Sequence, residues 1–140
     1  MGVILDSSLL ITAERQGDNA RRMLAAVSSQ VGDTDVALSV LTLLELAHGA
    51  ARADTPGRKA SREEFIGEIL TALPIHPVTA TVALRTGQID GECQARGLRI
   101  PLADLLIGVT ALELGYSVAT HNARHFHMIP AFPSCGSKRL

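Results

Sequence analysis

Three acidic residues stand inside apolar runs: Asp6 follows Val3-Ile4-Leu5, Glu45 interrupts Leu43-Leu44 and Leu46, and Asp104 interrupts Leu102-Ala103 and Leu105-Leu106-Ile107. An Asp or Glu is rarely fully buried unless something pairs with it, and burying its charge unpaired costs several kcal/mol. Basic residues lie outside these runs, so a neighbour in sequence cannot neutralise the acids. The obvious compensator is a divalent metal ion. Carboxylates without cysteine offer hard oxygen ligands, which suit Mg²⁺, with Mn²⁺ as a substitute, and disfavour zinc. A partly hydrated Mg²⁺ held by two or three acids polarises a phosphoryl oxygen and acidifies an attacking water, which is the chemistry of phosphodiester hydrolysis.

Taken singly, each acid has another reading. Glu45 sits at capping-box spacing from Thr42, Asp104 falls in the first turn of a helix opened by Pro101, where the helix dipole favours an acid, and Asp6 can cap a helix beginning at Ser8. The joint pattern favours one shared site. Ser7 and Ser8 have no G-x-S-x-G elbow and no positioned base, so they read as support for Asp6 rather than as nucleophiles. His121 and His125 have the spacing of one helical turn, with His127 close behind, yet no carboxylate or Cys follows at ligand spacing. The segment reads instead as a surface turn anchored by Phe126, with His121 and Arg124 able to touch phosphate. The basic stretches Arg52, Arg58, Lys59, Arg62 and Arg96, Arg99 read either as solvated helix ends or as RNA contacts.

Positioning these residues requires strands that end at a common edge. Residues 3–5 predict a buried strand that delivers Asp6 at its carboxyl end. Asp18 is expected to cap a helix over residues 19–27, and the turn at 32–35 leads into a second strand over 36–38. Residues 41–52 predict a largely buried helix carrying Glu45, residues 53–59 a loop, and residues from 61 onward a further helix. Ile75-His76 between two prolines reads as an edge strand. A helix over 78–95 follows, ended by Gly97, then a helix over 102–114 closed by Gly115, and a strand over 117–120 that delivers His121-Asn122. Short strands alternating with longer helices predict an α/β sandwich built on a parallel sheet. Ligands of such sheets bind at the strands' carboxyl ends, so one cleft can collect Asp6, Glu45, Asp104 and Asn122.

The 140 residues fit one domain. With 46% hydrophobic and 19% charged residues, the chain belongs with globular proteins rather than disordered ones. Aromatic residues are only 3%, with no Trp, which argues against a base-stacking platform. A formal charge of −1 excludes a uniformly basic nucleic-acid binder and leaves room for a local basic groove. Cys93 and Cys135 form no CxxC pair, so neither a zinc knuckle nor a disulfide framework is expected, and a reducing cytoplasm fits best. No leader or membrane-spanning segment is expected.

The blocks Val3-Ile4-Leu5-Asp6-Ser7-Ser8, Thr42-Leu43-Leu44-Glu45-Leu46-Ala47-His48-Gly49, Ile100-Pro101-Leu102-Ala103-Asp104-Leu105-Leu106-Ile107 and Thr120-His121-Asn122 with His125-Phe126, in this order, resemble the PIN-domain ribonucleases. Within them the chain is most similar to the VapC toxins of type II toxin–antitoxin pairs. The resemblance spans nearly the whole chain. It implies a three-layer α/β/α sandwich around a central, mainly parallel sheet of four to five short strands, with a PIN-like domain over 1–132 and a C-terminal tail over 133–140. It further implies a Mg²⁺-dependent endoribonuclease with Asp6, Glu45 and Asp104 as its acidic metal centre, a homodimer, and a VapB-like antitoxin that blocks the cleft. Many members carry a fourth acid where this chain has Asn122, which can complete the site through its oxygen or position water but puts a second metal in question. The alternative is a PIN-like RNA-binding or interaction module without turnover. The segment 131–136 also lacks the Gly-Leu strand pattern expected after Ile129-Pro130, so the last edge strand is expected to be short or absent.

Overall fold

The computed structural model describes residues 2–130, 132 and 137–139, the last three by their backbone. In chain order the elements are β1 (Gly2–Leu5), α1 (Ser7–Arg15), α2 (Ala20–Val31), β2 (Asp35–Ser39), α3 (Val40–Ala51), α4 (Pro56–Ala72), β3 (Ile75–His76), α5 (Ala80–Ala95), α6 (Leu102–Leu114), β4 (Ser117–Thr120), α7 (Ala123–His127) and β5 (Ser137–Arg139). The five strands form one sheet in the order β3-β2-β1-β4-β5, and every pairing is parallel.

Because side chains alternate across a strand, β1 serves both layers. Val3 and Leu5 join a core with Leu9 and Leu10 of α1, Met23 of α2, Leu46 of α3 and Phe65 and Ile69 of α4. Ile4 points the other way, into a core with Val82 and Ile89 of α5, Leu105 and Val109 of α6 and Phe126 of α7. The result is helices, sheet, helices. The continuous apolar character of residues 3–5 follows from burial on both faces.

Local details depart from the sequence reading in four places. Asn19, not Asp18, caps α2, its side chain accepting from the Arg22 backbone N–H at 2.8 Å. Ser39, not Thr42, caps α3 through the Leu41 N–H, so the Thr42–Glu45 capping box does not form. The expected loop over 53–59 is shorter, because Thr55 caps α4 and Pro56 occupies its first turn. α3 is also less buried than expected: Leu46 is 7% exposed but Leu44, on its other side, is 62% exposed. By contrast α6 spans the residues expected of it, and Gly115 at φ +69° closes it in the left-handed conformation.

The expectation for segment 131–136 lies outside the described residues, Phe132 excepted. Ser137–Arg139, read from sequence as part of a tail, instead pairs with β4 as the sheet's last edge strand. Three residues carry no detectable alternation, and an edge strand takes its backbone hydrogen bonds from its neighbour whatever its side chains.

Candidate active site

Asp6 is the first residue beyond β1. Its backbone N–H donates to the Ala119 carbonyl at 2.9 Å, which extends the β1–β4 ladder by one residue and places the side chain at the carboxyl edge of the sheet. The side chain is 2% exposed and makes no bond to the backbone of α1, so Asp6 does not act as a cap. Its Oδ2 accepts from Ser8 Oγ at 2.9 Å and from Thr120 Oγ1 at 2.8 Å. These hydroxyls have a second duty: Ser8 Oγ accepts from the His121 N–H, and Thr120 Oγ1 from the Asn122 N–H. Each thus donates once to the carboxylate and accepts once from the loop after β4, fixing that loop against Asp6.

Glu45 comes to the same edge because α3 starts directly from the end of β2. Ser7 Oγ donates to Glu45 Oε2 at 3.0 Å. Burial raises the proton affinity of this carboxyl, and the negative charges of Asp6 and Asp104 raise it further against the opposing Ser7 hydrogen bond. Asp104, in the first turn of α6, meets the His125 imidazole at 2.5 Å through Oδ2 and Nδ1. Burial again dominates, raising the Asp104 proton affinity, the His125 hydrogen bond opposes it, and the Asp6 charge adds to the rise. The three acids therefore feel one another's charge.

Asp6, Glu45, Asp104 and Asn122 all line a single open cleft of about 430 Å³, together with Arg15 and His121. Asn122 lies at its exposed rim. Protein groups satisfy one oxygen of each acid, while Asp6 Oδ1 and Glu45 Oε1 are buried with no hydrogen-bond partner among the described residues. An orphaned buried carboxylate oxygen is costly, and two of them beside one cleft suit a hard cation. Among the described residues, however, no three His, Cys, Asp or Glu side chains are gathered closely enough to hold an ion by themselves. The donors fit a Mg²⁺ that keeps several waters and takes one or two carboxylates directly.

Two residues of the site escaped the sequence reading. His125 was placed on a surface turn, and Phe126 does anchor that turn, fully buried; but His125 reaches Asp104 across 21 residues, a contact that only the packing of α7 on α6 creates. Arg15 lines the cleft from the last turn of α1 and carried no signal beyond its charge. Of the basic stretch singled out earlier, Arg58 pairs with Asp54, Lys59 with Glu63 and Arg62 with Glu14.

The chain as a whole is similar to several known proteins. Ribonuclease VapC1 of Rickettsia felis is 27% identical over 129 residues, covering 92% of this chain and 91% of that protein. The tRNA(fMet)-specific endonuclease VapC of Shigella flexneri is 31% identical over 93 residues, or 66% of this chain and 67% of that one. A chain of the crystal structure of DNA-bound VapBC from Salmonella typhimurium superposes with a TM-score of 0.72 at 27% identity, covering 93% of each chain. Residues 3–130 match the PIN domain, and the chain belongs to the PIN-domain family.

Proposed function

We infer that this protein is a metal-dependent endoribonuclease that hydrolyses RNA phosphodiester bonds, the toxin of a toxin–antitoxin pair held in check by a VapB-like antitoxin. The observation that carries the chemistry is the pair of buried, unpartnered oxygens on Asp6 and Glu45 in one cleft with Asp104. The names of the similar proteins, ribonucleases and a VapBC complex, support the biological assignment. Mg²⁺ bound there supplies a positive charge for a phosphoryl oxygen and lowers the pKa of water. Asp6 offers its free oxygen from a carboxylate already oriented by Ser8 and Thr120. Glu45 and Asp104 bring two more carboxyl groups to the cleft for a cation, and their raised proton affinity suits them to proton transfer through water. Asn122 at the rim positions water or RNA. Action as a homodimer in the cytoplasm belongs to the same reading; no helix of the described residues is long and apolar enough to cross a membrane.

A module that binds RNA without turnover is the second reading, favoured by the neutral Asn122 where an acid would strengthen a second metal. One experiment separates them. Purified protein is incubated with total RNA in Mg²⁺, in Mn²⁺ and in EDTA, beside the Asp6→Asn variant. Cleavage should require metal and fall at least about a hundredfold in the variant. RNA left intact by metal-loaded wild type, or cut equally well by the variant, defeats the nuclease reading.

A further inference from the structure

Beside the carboxylate cleft lies a second groove of about 600 Å³ lined by α1, α3 with the residue that caps its end, and α4, among them Arg15, His48, Arg52 and Arg62. Ile11, Arg15 and Glu45 line both spaces, so the two lie side by side.

The three arginines differ in what holds them. Arg62 is committed to the fold: its Nε donates to Glu14 at 3.2 Å and its Nη1 to the Gly49 carbonyl at 2.8 Å, tying α4 to α1 and α3. Arg15 and Arg52 are exposed, and their side chains make no hydrogen bond or ion pair among the described residues. Elsewhere Arg58, Lys59 and Arg85 are each matched by an acid. Arg96 and Arg99 line neither space.

Three carboxylates at the cleft oppose any polyanion, and a formal net charge of −1 gives no long-range attraction to offset them. Attraction must therefore be local. Two guanidinium groups without a partner among the described residues, Arg15 on the cleft and Arg52 in the groove beside it, supply it, and a guanidinium can bind phosphate by paired hydrogen bonds.

We propose that a single RNA strand leaves the carboxylate cleft along this groove, with Arg15 and Arg52 binding the phosphates next to the one that is cut. Arg15, shared by both spaces, takes the nearer phosphate and Arg52 the farther. The proposal rests on the nuclease reading, and it adds which side of the acids the strand lies on.

The test is binding of a short, fluorescently labelled 2′-O-methyl oligoribonucleotide of mixed sequence, followed by anisotropy across a salt series in Mg²⁺. Wild type is compared with R15A/R52A and with R96A/R99A. For R15A/R52A the affinity at low salt should fall about tenfold or more, and the slope of log K against log salt should shrink by about 1.4, two single-strand phosphate contacts. R96A/R99A should match wild type. Wild type that binds RNA while R15A/R52A equals it in affinity and slope overturns the strand path alone and leaves the groove to a protein ligand. Wild type that neither binds nor cuts RNA defeats the nuclease reading and this proposal together. Arginine-to-lysine replacement at both positions should restore most of the salt slope but not all of the affinity, since lysine keeps the charge and loses the paired geometry.

Discussion

Burial and the charges of Asp6 and Asp104 raise the proton affinity of Glu45, so its charged form is less welcome in the folded chain than in the unfolded one. Its contribution to stability is therefore fully present below its ordinary value of 4.5 and is lost as pH rises through the higher folded value. At neutral pH, without metal, Glu45 is a liability. Glu45→Gln, which still accepts from Ser7, should raise the metal-free melting temperature at pH 7 by about 3 °C while removing nuclease activity. The gain should vanish below pH 4, and an equal gain at both pH values would place the cause elsewhere. His125 works in the opposite sense on Asp104, lowering a proton affinity that burial raises. In His125→Ala, Asp104 should hold its proton to higher pH. Calorimetric Mn²⁺ binding should then weaken several-fold more than wild type between pH 8 and pH 5.5. Parallel losses in the two proteins would show that the imidazole does not govern Asp104.

The elements that carry these residues are held by particular contacts, and Gly108 of α6 makes one of them. A Cβ there would collide with Ile129 Cδ1 and press on Phe126 Cδ1 at 3.3 Å. Gly108→Ala should therefore push α7 away from α6 and carry His125 off Asp104. We expect a stability loss of about 1–3 kcal/mol and a fall in nuclease activity larger than the fraction unfolded explains, read by denaturant titration beside cleavage rate. An activity loss that merely tracks unfolding would separate α7 from the site. The sequence showed β1, α6 and β4 well, because an apolar run, a Pro-to-Gly bracket and a β-branched stretch are local signals. Asp6 and Asp104 were legible as acids out of place for the same reason. The Thr42–Glu45 capping box was not formed because Ser39, at the very end of β2, captured the helix start first. His125, Arg15 and β5 were missed because each acquires its role from an element distant in sequence: α6, α3 and β4 respectively.

At the scale of the whole molecule, the proposed metal links binding to the fold. A cation that binds only the folded chain stabilises it by about 2.7 kcal/mol at a hundredfold excess over its Kd, roughly 9 °C for a chain of this length. Mg²⁺ and Mn²⁺ should both raise the melting temperature in proportion to occupancy, and Asp104→Asn should blunt the rise. A melting curve indifferent to millimolar Mg²⁺, with no heat of binding, would remove the metal from the proposal. The Thr120–Asp6 hydrogen bond joins residues 114 positions apart, and β1 lies in the sheet between a strand at 35–39 and one at 117–120. During synthesis, then, the first strand emerges long before its second partner exists. Until residues 119–125 leave the ribosome, Asp6 has neither Thr120 nor the Ala119 carbonyl, and Asp104 has no His125. The acids therefore gain these partners only after most of the described chain has been made, so an oriented cleft is a late product of synthesis.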